Sequence, residues 1–260
     1  NKAIRGVDAV IHLACISNDP SFDLDPKLGK SINYDSLPKI VNSIKRHQVR
    51  RLIFASSAAV YGLHSAKSFA KETSVTNPQT DYAKYKLLAE QYIKNHCHGL
   101  EFVIIRSATV CGYSPRMRLD VLVNMFTAQA YNNGKITVYT GDNVRPHIHI
   151  EDITDLYDQL LALPAHLVNK RIFNANAENL TIQKLAEKVK DRIGLDTVID
   201  NTVSSDIRSC KLDASLVLKM LNFKASRTVD QAIDGVYEAL VSKKLIDSSN
   251  NPLYYNIKML

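Results

Sequence analysis

Three side chains in this sequence could do proton chemistry together: Ser57, Tyr82 and Lys86. Ser57 lies in the run Ser56-Ser57-Ala58-Ala59-Val60-Tyr61-Gly62, directly after the apolar segment Leu52-Ile53-Phe54-Ala55. Tyr82 and Lys86 fall in Asp81-Tyr82-Ala83-Lys84-Tyr85-Lys86; four residues apart on a helix, they share one face. An ammonium beside a phenol favours the phenolate. Bringing a tyrosine from its ordinary pKa of ~10 towards ~7 takes about 4 kcal/mol. One lysine in a dry pocket supplies part of that, and a cationic ring bound nearby would supply more. A serine hydroxyl at a strand tip could then hold the substrate oxygen. The set amounts to a proton-transfer site that still needs a hydride acceptor.

The elements that must position these residues follow from the apolar pattern. Ala9–Ala14, Arg51–Ala55 and Glu101–Arg106 are short apolar runs, predicted as strands buried on both faces. Between them the spacing predicts a helix from about Pro26 or Leu28 to His47, interrupted or kinked at Pro38. A second predicted helix runs from Tyr82 to about Asn95, capped by Thr80 or Asp81. Residues 17–26 and 63–80 are predicted as loops. Strands separated by helical crossovers argue for a doubly wound, mostly parallel α/β sheet, whose ligands bind at the carboxyl ends of the strands. Ala14, Ser57 and Ser107 fall at those ends.

Beyond Gly112 the pattern becomes mixed. Helices are predicted at about 119–131, 151–163, 181–193, 213–221 and 228–244, with strands at 135–139, 171–174 and 197–199. Residues 1–112 with about 146–180 are expected to form one domain, and about 113–145 with 181–260 a smaller α/β domain.

Composition narrows the function classes. A chain of 260 residues with 45% hydrophobic content can bury a core without covalent staples. Its four cysteines, Cys15, Cys97, Cys111 and Cys210, show no pairing rhythm, which suits reduced thiols and a cytoplasmic setting. His96-Cys97-His98 reads as a turn, and no metal is expected. No run of eighteen apolar residues suggests a membrane span. The net charge of +7 is spread through helices and mixed with acids, so nucleic-acid binding is not expected.

Taken together, these residues resemble the extended short-chain dehydrogenase/reductase family, the NAD-dependent sugar-nucleotide epimerases and dehydratases. His12-Leu13-Ala14 resembles the family's turn along the dinucleotide, and Asn33 its helix asparagine. Arg106–Gly112 resembles the R-P-x-N-V-Y-G stretch, and Arg145-Pro146-His147-Ile148-His149-Ile150-Glu151-Asp152 the R-D-x-x-H-V-x-D segment. The resemblance makes Ser57, Tyr82 and Lys86 the catalytic set. It assigns Leu13, Ala14, Asn33, Ala55, Lys86 and Ser107 to the cofactor, and Thr109, Arg145 and Arg208 to the substrate. Both arginines suit a diphosphate, which a guanidinium grips in a fork. Arg116 and Arg118 are weaker candidates for the diphosphate and are expected on solvated surface, His149 in the core, and Tyr61 and Tyr85 in packing. NAD is the implied cofactor, with NADP left open. A nucleotide-sugar is the implied substrate, and a homodimer through a helix bundle the implied assembly.

Departures from the family pattern carry information. Dehydratases of the family place an Asp and a Glu after the catalytic hydroxyl residue; here Ala58 and Ala59 stand there, which points from water elimination towards epimerisation. Thr109 replaces the usual asparagine and implies an altered sugar pocket. No two of the nine glycines are three apart, so a G-x-x-G-x-x-G turn for the pyrophosphate is not in the chain. The chain is therefore expected to be an N-terminal truncation of a Rossmann protein. Two alternatives remain: a reductase or dehydrogenase of another alcohol or keto sugar, and a catalytically silent binding protein on the same fold.

Overall fold

Apolar runs buried on both faces build the central sheet. Ala9–His12, Arg51–Ser57, Glu101–Ser107 and Arg171–Ala175 pair in that order, all parallel. The register sets Ile11 beside Ile53, Ile53 beside Val103, and Ile105 beside Phe173. Successive side chains along each strand face opposite sides. Leu52, Phe54, Phe102 and Ile104 pack against Leu37, Val41, Ile44, Ala89 and Ile93 of two helices on one face. Ile53, Val103, Ile105 and Phe173 pack against Ile153, Leu156, Leu160, Val217 and Leu221 on the other. Helices on both faces of a parallel sheet are the doubly wound arrangement expected from the sequence. The computed structural model describes residues 3–63, 68–194, 196–202 and 209–259. Among these, no helix is long and apolar enough to cross a membrane.

A second core forms beyond the sheet. Val123, Phe126 and Ala130 of helix Leu122–Asn133 meet Leu185, Ala186 and Val189 of helix Ile182–Ile193, and Ile233 of helix Val229–Val241. Strand Lys135–Tyr139 runs parallel to Val198–Thr202 against this core. A three-stranded sheet bridges the two cores: Val144–His149 pairs parallel with Thr109–Cys111 and antiparallel with Glu178–Thr181. The predicted caps hold where they are local. Thr80 Oγ1 accepts from Ala83 N at 3.3 Å, and Thr181 Oγ1 from Lys184 N at 3.1 Å.

Three expectations are corrected. The segment predicted as a loop over 63–80 carries the short strand Phe69–Ala70, paired parallel with Lys211–Leu212, a partner too distant in the chain to read locally. The segment predicted as a loop over 17–26 carries helix Asp19–Leu24, capped by Asn18, whose Oδ1 accepts from Ser21 N at 3.0 Å. Asp25 caps the next turn, accepting from Leu28 N at 2.9 Å. Asn, Asp and Pro occur there as helix starts rather than as loop formers, because their side chains satisfy the free N–H groups of a first turn. The single helix predicted to His47 is instead three segments: Pro26–Lys30, a wide π-type turn Ser31–Asp35, and helix Leu37–Arg46. Pro38 lies in the first turn of the last segment, where its missing N–H is no loss.

The turn after the strand Arg51–Ser57 is tightly constrained. Gly62 ends it at φ +59°, and a Cβ there would meet the Asn77 carbonyl oxygen at 1.7 Å. Gly62→Ala is expected to lower stability by about 2 kcal/mol. A urea titration checks this as a lower midpoint at unchanged slope.

Candidate active site

A cavity of about 600 Å³ opens at the carboxyl ends of the parallel strands. Ser57 reaches it from the tip of its strand, and Tyr82 and Lys86 from the first turns of helix Asp81–His96. The Ser57 hydroxyl accepts from Ala59 N at 3.1 Å and lies beside the Tyr82 phenol on the cavity wall. The Lys86 ammonium is buried and donates to Ala55 O at 2.6 Å. It lies 6.0 Å from the centre of the Tyr82 ring and 5.2 Å from that of Phe54. The three residues singled out from the sequence therefore converge on one space. Ala58 and Ala59 also line it, so methyl groups stand where an acid–base pair would be needed for elimination.

The electrostatics differ from the expectation in one respect. The Tyr82 phenol is held above the ordinary tyrosine range, chiefly by burial, then by the nearby Cys15. Ser57 and Arg118 pull the other way and do not offset this. Lys86 was expected to lower the phenol, but it is not among the groups that set its shift; its ammonium donates to Ala55 O, and desolvation prevails. His12 is pushed down to about 4 by burial and by Lys86, so it is neutral near pH 7 and adds no second cation.

Leu13, Ala55, Ser107, Thr109 and Arg145 all line the cavity. Ala14 and Asn33 do not. The Asn33 side chain is buried and pairs with Ile16 in both directions: Ile16 N donates to Oδ1 at 2.8 Å and Nδ2 donates to Ile16 O at 2.9 Å. It fixes the loop after the first strand instead of facing a ligand, because the wide turn Ser31–Asp35 aims it inward. Arg208 lies outside the described residues. His149 is a half-buried helix cap, not a core residue; its Nδ1 accepts from Glu151 N at 3.2 Å. Tyr61 and Tyr85 are packing residues, as expected: Tyr61 is fully buried and Tyr85 stacks on Phe22.

Arg116 and Arg118, the weaker diphosphate candidates expected on solvated surface, both line the cavity. Ser17, Asn18 and Asp120, which gave no signal in the sequence, line it too. Arg118 donates to Asp120 at 2.9 Å and to Ser17 Oγ at 3.2 Å. Asp120 also accepts from Asn18 Nδ2 at 3.1 Å and from Asn256 N at 2.9 Å. Asn256 reaches back with Nδ2 to Ser17 Oγ at 2.9 Å and accepts from Arg116 at 2.7 Å. Residues near both ends of the chain are thereby joined on the cavity rim. Asn256→Ala removes the two side-chain bonds, each worth about 0.5–1.5 kcal/mol net. The amides at residues 17–18 are expected to exchange about tenfold faster in that variant, measured by hydrogen–deuterium exchange.

Parallel strands flanked by helices, with polar groups gathered at their carboxyl ends, define the Rossmann-like class. The sequence profile of the NAD dependent epimerase/dehydratase family matches residues 1–175, and the chain belongs to that family. It is 26% identical over 197 residues to the uncharacterized UDP-glucose epimerase YtcB of Bacillus subtilis, covering 74% of this chain and 60% of that protein. It is 26% identical over 167 residues to the dTDP-D-glucose 4,6-dehydratase of Dictyostelium discoideum, covering 60% of this chain and 38% of that one. The chain thus spans less than two thirds of the length of these relatives. The crystal structure of UDP-glucuronic acid 4-epimerase from Bacillus cereus, in complex with UDP-glucuronic acid and NAD, superposes with a TM-score of 0.82 at 20% identity. That match covers 93% of this chain and 78% of the other, and at this identity it speaks for the fold.

Proposed function

We propose that this chain carries the catalytic and substrate-binding part of an NAD-dependent epimerase acting on a nucleotide-activated sugar. The observation that carries the reading is the convergence of Ser57, Tyr82 and Lys86 on one cavity whose neighbouring wall, Ala58 and Ala59, has no acid–base group. Tyr82 takes the proton of a sugar hydroxyl. Ser57, oriented by Ala59 N–H, holds that oxygen through the step. Lys86 has Ala55 O as its protein hydrogen-bond acceptor among the described residues, which leaves ammonium donors for a ribose diol. Arg145 and Thr109 face the same space and are assigned to the substrate, as is Arg118.

The donor set fits the nicotinamide end of NAD: Lys86 would hold the ribose, with Leu13, Ala55 and Ser107 along the wall. When bound, the nicotinamide supplies the hydride acceptor and a positive charge. Such a charge would oppose the burial that raises the Tyr82 phenol above its ordinary range. The sequence has no Gly-rich turn for the pyrophosphate, so the cofactor's other end has no assigned residues.

The family membership and the relatives named as sugar-nucleotide epimerases or dehydratases support a nucleotide-sugar substrate, and the alanines beside Ser57 support epimerisation over elimination. A cofactor domain is assigned to residues 1–112 with about 146–180 and a substrate domain to the rest, except that Cys210, Leu212, Val217 and Leu221 pack in the core of the central sheet and go with the cofactor domain. Exposed Leu24, Leu28 and Leu88, on or beside the two helices assigned to a bundle, support a homodimer, which light scattering would test. Four unbridged cysteines support a cytoplasmic setting.

The direct experiment incubates the chain with NAD and UDP-glucose, UDP-glucuronic acid, GDP-, dTDP- or CDP-sugars and follows the sugar by proton NMR. A product inverted at one ring carbon is the expected result. A dehydrated product, or no conversion of any member, would overturn the reading.

A further inference from the structure

One buried charge pair beside the cavity is not used by the chemistry above. Glu90 lies one helical turn beyond Lys86 and two beyond Tyr82, so the three share a face of helix Asp81–His96. The Glu90 carboxylate is fully buried. It accepts from Ser56 Oγ at 2.5 Å, from Arg106 Nε at 3.0 Å and from Arg106 Nη2 at 2.7 Å. Arg106 is itself buried on the next strand and also donates to the Tyr61 hydroxyl at 3.0 Å. Tyr61 in turn donates to Asn174 Oδ1 at 2.7 Å on the strand beyond.

The pairing between helix and strand is orderly. Two successive strand residues each hold one helix residue: Ala55 O takes Lys86 and Ser56 takes Glu90, and Ser57 follows beside Tyr82 on the cavity wall. A shift of the helix along the strand breaks both hydrogen bonds and moves Tyr82 from Ser57. Stability alone is a poor reason to bury such charges, because replacing a buried ion pair by apolar residues is often neutral or stabilising. A fully satisfied buried polar network does, however, impose a single geometry on what it joins.

We infer that Glu90, held by Arg106, is a positioning residue that fixes helix Asp81–His96 against strand Arg51–Ser57 and so sets the spacing of Tyr82, Lys86 and Ser57. The inference rests on the roles proposed for those three residues. Glu90 touches no substrate; it acts through Ser56 and through the helix that carries the base.

The test compares the full chain with two variants. Glu90→Leu/Arg106→Met removes both charges together and leaves no unpaired ion. Ser56→Ala removes one bond and keeps the ion pair. Lysine-ammonium NMR on the ligand-free protein follows Lys86, assigned by loss of its signal in Lys86→Arg. Turnover is measured with NAD and UDP-glucose or UDP-glucuronic acid. In the double variant the Lys86 signal is expected to broaden through faster solvent exchange, while unfolding stays cooperative. Its kcat is expected to fall about 100-fold, the scale of a misplacement near 1 Å, with KM within about threefold. For Ser56→Ala the fall is about tenfold. A folded double variant with the parental Lys86 signal overturns the inference. If the double variant does not fold, Ser56→Ala with parental signal and parental kcat overturns it. Lack of turnover in the parent chain counts against the proposed function, and the Lys86 signal then decides the positioning role by itself.

Discussion

Tyr82→Phe should reduce turnover by about 10²–10⁴-fold, the range for loss of a general acid–base group, while nucleotide-sugar affinity stays within about threefold. The reason is local. The phenol is the titratable group that Ser57 contacts on the cavity wall, and Phe keeps the ring while removing the oxygen. Ring packing against the first turn of the helix is preserved, so the cavity should keep its shape. The measurement pairs steady-state kinetics with calorimetric titration of the same sugar nucleotide. Normal turnover in Tyr82→Phe would remove Tyr82 from the mechanism. A loss of affinity equal to the loss of turnover would recast it as a binding residue. Ser57→Ala should cost less, because a fixed hydroxyl that holds an oxygen contributes one hydrogen bond and transfers no net proton.

The second large effect concerns stability and needs no ligand. Glu90→Ala should lower the unfolding free energy by about 3–5 kcal/mol, the cost of breaking a buried ion pair by removing one partner. Arg106 is 3% exposed and would be left charged without its carboxylate. In the parent the Glu90 bonds offset the burial that disfavours its charge; without them the guanidinium, which is not deprotonated in proteins, stays charged and must be hydrated or moved. Urea unfolding followed by circular dichroism measures the change. The single and double substitutions separate two properties of the pair. Removing one charge tests what the ion pair prevents, and removing both tests what it positions. A loss below about 1 kcal/mol for Glu90→Ala would mean that water already reaches the pair.

Much of the fold was legible because its signals are local. The runs at Ala9, Arg51 and Glu101 are short, apolar and separated by helical crossovers, and that alone implies parallel strands buried on both faces. The helix caps at Thr80 and Thr181 were readable for the same reason, since a cap and its partner lie three residues apart. Caps placed next to prolines, at Asn18 and Asp25, were misread as loop, because the same residue types serve both purposes.

The site divides along the same line. Sequence spacing determined that Tyr82 and Lys86 share a helix face, and order along the chain put Ser57 at a strand tip. Tertiary structure decided what surrounds them. Burial pushed the Tyr82 phenol up, because desolvation depends on every neighbour at once and not on a spacing of four. The same holds for Asn33, turned away from the cavity to bind Ile16, and for the rim of Ser17, Arg118, Asp120 and Asn256. Those rim partners are brought together from up to 239 residues apart. The sequence by itself therefore determined which groups could react; packing over long chain separations decided how they are charged, held and enclosed.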